Sequence, residues 1–264
     1  MNSEIKIITI NSENVSKYPP VCFLNPKNEG YIKKLEWIKK CFSEGLRIKL
    51  LYLKNEKKPI GLIEYIPGEF AWRAVDANGY MFIHCIWITP NKNKEKGYGS
   101  ILIKECIEDA KTGGKQGVSV VTSEDSFMVG KALFLKNGFE SVASAKPSFE
   151  LMVKTLKKGS FDKLRTSPLP KFRDWENQLK QYKGLNIIYA NQCPWIARSI
   201  KELSETAKEK GFKVKITELK SAEEIQDAPS VYGTFNLVYN GKLLANHYIS
   251  KRRFQNIIEK ELKK

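Results

Sequence analysis

Apolar residues recur along this chain with two periods, and the changes from one period to the other mark its elements. Residues 4–10 are rich in Ile and read as a strand. Tyr31, Leu35, Ile38 and Phe42 fall at helical spacing, which predicts a helix over 28–43. Strands follow near 47–54 and 59–66, with Lys57-Lys58-Pro59 at the turn. Two turn-rich stretches, Pro67–Phe70 and Asp76–Gly79, bracket the segment Ala71–Val75. The second leads into the apolar run Met81–Ile88, a strand, and then to an amphipathic helix beginning near Ile101. Gly117–Val121 is a further strand, a helix-like segment ends at Leu135–Phe139, and Phe149–Thr155 reads as a closing strand.

The pattern then lapses. Lys157-Lys158-Gly159-Ser160 opens a stretch of weak periodicity, broken by Ser167-Pro168-Leu169-Pro170. Periodicity resumes with a strand at 185–190, an amphipathic helix over 195–210 stopped at Gly211, an alternating strand over 212–219 and a short helix near 221–227. Residues 234–239 and 242–245 form a hairpin around Asn240-Gly241, whose residues tolerate the positive φ angles of a tight turn. A last helix spans about 251–262. The expected organisation is one unit over 1–157, a basic linker over 158–184 with a short helix near 173–182, and a second unit over 185–264. The fold class is α/β, with mixed sheets (α+β).

Between the strand ending at Ile88 and the helix starting near Ile101 lies Lys94-Glu95-Lys96-Gly97-Tyr98-Gly99-Ser100. A glycine loop between a strand and a helix start directs main-chain N–H groups outward, where the helix dipole adds positive potential. Lys92, Lys94 and Lys96 suit a polyanionic ligand, and two glycines let a diphosphate approach the backbone. The spacing matches neither GxGxxG nor GxxxxGK[ST], so the dinucleotide fingerprint and the P-loop are both excluded. Strand, [QR]xxGx[GA]-like loop, helix, strand and a helix ending in Gly138-Phe139 together resemble the GCN5-related N-acetyltransferase (GNAT) family.

That resemblance implies an acyl-CoA N-acyltransferase fold, with acetyl-CoA as co-substrate and its pyrophosphate held by Lys94, Glu95, Lys96, Gly97, Tyr98, Gly99 and Ser100. Lys94 replaces the usual Arg or Gln; it keeps a polar head but loses the planar group. Ile86, Trp87 and Ile88 would polarise the thioester through backbone N–H groups, and Ser126 would touch the pantetheine arm. The family's usual tyrosine acid falls on Phe134, which has no proton to give. For the amine's proton, His84 suits a general base near neutral pH, and Glu64 on the preceding strand is a second candidate acting through water. The other reading of His84 is a strand histidine satisfied by a neighbour. Trp72, Arg73 and Tyr80 gather where the acceptor would bind: aromatic rings for an apolar or cationic group, Arg73 for a carboxylate.

Composition changes this picture little. The net charge of +16 comes from 45 basic against 29 acidic residues, and the surplus reads as a surface bias rather than a nucleic-acid footprint. Five cysteines show no CxxC pair and no metal-ligand spacing, which suits reduced thiols in the cytoplasm. No apolar run has the length of a membrane helix, and the first residues lack a signal-peptide core. Dimerisation is left open.

The second run of elements resembles a small thioredoxin-like domain, and the two units together are similar to YoaP-type proteins. By that resemblance Cys193, in Gln192-Cys193-Pro194-Trp195-Ile196, occupies the reactive position, but Ile196 replaces the second cysteine of a CPxC motif. Gly233, in Val231-Tyr232-Gly233-Thr234, stands where the resemblance places a cis-proline. The leading expectation is transfer of an acetyl group to the amine of a small molecule. The alternatives are a non-catalytic acyl-CoA-binding protein and a monothiol protein acting on a thiol-containing ligand.

Overall fold

The computed structural model describes residues 5–18, 20–22, 24–54, 56–125, 127–156 and 168–262. Two compact units emerge, and both are discontinuous in sequence. The first comprises Met1–Phe23, Lys39–Ala71 and Asp76–Lys171; the second comprises Leu24–Ile38, Trp72–Val75 and Phe172–Lys264. Among the described residues no helix is long and apolar enough to cross a membrane.

The first unit is built on a seven-stranded mixed sheet in the order β1-β2-β3-β5-β6-β8-β7. Its strands are β1 (Ile5–Ile10), β2 (Arg47–Leu53), β3 (Gly61–Pro67), β5 (Tyr80–Ile88), β6 (Gly117–Ser123), β7 (Glu140–Ala145) and β8 (Phe149–Thr155). All neighbours run antiparallel except β5 and β6. A parallel pair needs a crossover, which α2 (Tyr98–Thr112) supplies. Leu102, Ile103, Cys106, Ile107 and Ala110 form one face of α2 and are buried with Ile63, Tyr65, Met81, Ile83, Val118 and Val120. The short helix α3 (Ala132–Lys136) adds Phe134 to this core, edge-on to Phe139 at 5.4 Å. A two-residue strand, β4 (Val75–Asp76), lies where the chain passes from one unit to the other.

Strand β7 is an addition to the expected order. Its sequence, Glu-Ser-Val-Ala-Ser-Ala, is mostly exposed and, among the described residues, pairs only with β8, with a register shift between Ser141 and Ala143. An exposed edge strand has no apolar face to alternate, so its pattern is silent. Residues 158–167, the first part of the expected linker, and Ser126 lie outside the described residues. The remainder carries β9 (Lys171–Phe172) and α4 (Trp175–Gln178), which continues as a tighter turn over Leu179–Gln181.

The second unit has a four-stranded sheet in the order β11-β10-β12-β13. The strands are β10 (Leu185–Tyr189), β11 (Val214–Glu218), β12 (Phe235–Tyr239) and β13 (Lys242–Ala245). Helix α5 (Ile196–Glu209) provides the parallel crossover from β10 to β11, and α6 (Ala222–Gln226) precedes β12. Helix α7 (Lys251–Ile257) runs on as a wider helix over Ile258–Leu262. Most of α1 (Glu29–Cys41) belongs to this unit. Trp72 packs edge-on against Trp37 at 5.2 Å, and Lys34 lies over the Trp37 ring at 3.8 Å.

Candidate functional site

The site in the first unit starts from two features of β5. Opposite β3, Glu64 pairs with Cys85 and Tyr65 with Ile83, so the register skips His84. This is a β-bulge, which bends the strand and increases its twist. Toward β6, pairing ends at Ile83–Val120, although β5 continues to Ile88 and β6 to Ser123. The two parallel strands therefore diverge toward their C-terminal ends. Ile86, Trp87 and Ile88 line the far part of β5 and keep their β3 partners Ile63, Leu62 and Gly61.

The glycine loop lies just beyond. Asn93 is buried and donates Nδ2 to Thr89 O at 3.0 Å, while the Thr89 amide bonds Ile60 O at 2.8 Å. These bonds pin the loop to the sheet. The Lys94 amide donates to Asn91 O, and the Ile101 amide opens the helix by donating to Gly97 O at 3.1 Å. Among the described residues, none of the intervening amides, from Glu95 to Ser100, donates to a protein acceptor. Glu95 (φ 64°) and Gly97 (φ 85°) both adopt left-handed backbone, the geometry that turns successive N–H groups into an anion-binding concavity. A side chain at Gly97 would meet no neighbour, so the glycine is there for its φ. Lys92, Lys94 and Lys96 are exposed around it. The Ser100 hydroxyl accepts from Asn137 Nδ2 at 2.9 Å, and Lys154 Nζ holds Asn137 O at 2.9 Å, tying the helix start to the Gly138-Phe139 turn.

His84 and Glu64 come together. Both are buried, with His84 Nδ1 3.5 Å from Glu64 Oε1 and the His84 ring 5.6 Å from that of Phe82. Tyr80 is wholly buried at the opposite end of β5, against Gly117, and its hydroxyl has no hydrogen-bond partner among the described residues. Trp72 and Arg73 are buried in the second unit. There Arg73 donates Nη1 to Trp72 O at 2.6 Å and to Gln192 Oε1 at 3.2 Å. Cys193 is half-buried in the turn after β10. Sequence reasoning missed Asn93, Asn137 and the bulge. Asparagine in a loop carries no signal of burial, and a bulge exists only relative to the opposite strand.

Residues 13–139 match the acetyltransferase (GNAT) family and residues 214–256 the YoaP-like family. The chain is 28% identical, over 255 residues covering 95% of it and 97% of the relative, to a Bacillus subtilis (strain 168) protein described as "Uncharacterized N-acetyltransferase YoaP". It is similar to the Escherichia coli GNAT family N-acetyltransferase YhbS, solved in complex with CoA, at 14% identity over 64% of this chain and 89% of that one, with a TM-score of 0.43. It is also similar to the paia N-acetyltransferase of Thermoplasma acidophilum, solved with coenzyme A, at 16% identity over 58% and 99%, with a TM-score of 0.42. The chain thus carries a GNAT acetyltransferase domain over residues 13–139 and a YoaP-like region over residues 214–256.

Proposed function

We propose that the chain transfers an acetyl group from acetyl-CoA to the amine of a small molecule. The observation that supports this most directly is the row of unengaged amides from Glu95 to Ser100, beside the diverging ends of β5 and β6. Those amides, with Lys92, Lys94 and Lys96, would grip the diphosphate. Ile86, Trp87 and Ile88 would hold the thioester through their backbone, where a preorganised N–H stabilises charge developing on the carbonyl oxygen. His84, oriented by Glu64, would take the proton of the attacking amine. Phe134 packs in the core and supplies no acid, so the CoA thiolate would depart unassisted; a thiol pKa of about 8.5 makes it a tolerable leaving group.

The test is calorimetry with coenzyme A, followed by free-thiol release from acetyl-CoA across a panel of small amines. Binding with amine-dependent thiol release is the expected result. Absence of heat would overturn the diphosphate site itself. Binding without thiol release for any amine would favour the second reading, a non-catalytic acyl-CoA-binding protein, to which the buried Phe134 lends weight.

A further inference from the structure

The row of amides at the head of α2 is braced from one side by α3 and the turn that follows it. Gly99 is buried, and a Cβ there would lie 3.2 and 3.3 Å from the two Cδ atoms of Leu133, so α3 packs on the first turn of α2 where a side chain would crowd it. Asn137 ends α3. Its Nδ2 group lies 2.9 Å from Ser100 Oγ and 2.8 Å from Leu133 O. Its main chain is pinned as well: the N–H donates to Phe134 O at 2.9 Å, and Lys154 Nζ, from β8, donates to the carbonyl at 2.9 Å. The direction of the side-chain bonds follows from chemistry. A main-chain carbonyl only accepts, so the amide atom that faces Leu133 O is the nitrogen. The same nitrogen faces Ser100, so the serine oxygen accepts, and its one proton is still to be given. Among the described residues the Ser100 hydroxyl donates to no acceptor. Ser100 stands in the first turn of α2, where side chains lean toward the helix start and hence toward the unengaged amides.

We propose that Ser100 donates its hydroxyl proton to a phosphate oxygen of the CoA diphosphate, and that Asn137 is the positioning residue that fixes this hydroxyl as a donor. The inference rests on the reading of the glycine loop as a diphosphate site. By filling a lone pair of the oxygen, Asn137 turns the proton away from α3 before the ligand arrives. A hydroxyl oriented in advance loses less freedom on binding, and its bond to an anionic oxygen is stronger than one between neutral groups. The bond to Leu133 O closes α3, whereas the bond to Ser100 crosses to α2 and is the one this role uses. Lys154 anchors the asparagine by its backbone, so the amide cannot swing clear of the serine without breaking that contact.

The experiment is calorimetric titration of coenzyme A into the full chain, as wild type, Ser100→Ala, Asn137→Ala and the double variant. Each single variant is expected to weaken binding about tenfold, the size of one hydrogen bond to a charged group. The double variant is expected to lose no more than Ser100→Ala alone, because Asn137 acts through the hydroxyl; a residue that only supports the fold gives additive losses. Asn137→Asp, nearly isosteric, is expected to bind more weakly than Asn137→Ala, since a carboxylate accepts the serine proton and withdraws it from the ligand. Ser100→Thr, which keeps the hydroxyl, is expected to bind as wild type does. Wild-type affinity in Ser100→Ala overturns the proposal and leaves the amide site standing, and additive losses in the double variant overturn the role of Asn137. Absence of CoA binding by the wild type overturns instead the diphosphate reading, and the proposal with it. If circular dichroism shows Asn137→Ala unfolded, Asn137→Asp carries the test: CoA affinity at or above the wild-type level overturns the proposal.

Discussion

His84 is skipped in the β3–β5 register and faces Glu64 at 3.5 Å, so its ring is held by the sheet and not by a loop. If it serves as base, a variant without it must wait for the amine to lose its proton to water. The free amine becomes scarcer with each step below an ordinary amine pKa of about 10. His84→Ala is therefore expected to lower kcat by about 10²-fold near neutral pH, and by less at higher pH. Steady-state rates across pH check this; a constant ratio to wild type removes the role. His84 and Glu64 were legible in the sequence because each interrupts an apolar strand. What placed them together was a bulge, and one strand's sequence holds no record of the pairing that defines it.

Helix α2 joins the glycine loop to an ionic cluster on its later turns. Lys49 Nζ bonds Glu105 and Asp109 at 2.9 Å each, Arg47 reaches Asp109 at 2.9 Å, and the Tyr65 hydroxyl donates to it at 2.6 Å. Burial pushes the Asp109 carboxyl up, but hydrogen bonds from Tyr65, Lys49 and Arg47 outweigh it and hold the group below its ordinary value. A depressed carboxyl contributes stability above its unfolded pKa and loses that contribution as pH falls through its folded pKa. Asp109→Asn is expected to cost about 3 kcal/mol at neutral pH, because Lys49 is left buried with one carboxylate fewer. It should also flatten the decline of stability on acidification, measured by urea unfolding at neutral and acidic pH. At the head of the same helix, Gly97→Val would strain a left-handed residue by about 1–2 kcal/mol and turn the amides away. The expected result is about a tenfold weaker CoA titration with the fold retained. Strand, loop and helix were visible because each has its own period or residue type. Strand β7 was not, since an exposed edge needs no alternation to form.

At the scale of the molecule, the second unit recruits 24–38 and 72–75 from far upstream. Tyr31, Trp37 and Ile38 on α1 are buried, and Trp72 and Arg73 join them. Helical spacing announced α1 but carried no information about which body it would join, since apolar faces are interchangeable in pattern. A chain ending at Lys171 would leave those side chains without the rest of their unit. It is expected to show faster proteolysis within 24–38 and a lower Tm than the full chain, by limited digestion and calorimetry. Equal protease resistance in the two chains would refute this.

The same interleaving has a consequence for synthesis. At roughly 5–20 residues per second, the second unit's upstream pieces leave the ribosome on the order of ten seconds or more before residues 172–262 exist to receive them. During that interval Trp37 and Trp72 are sticky surface on a nascent chain, and the cell has to shelter it until translation ends.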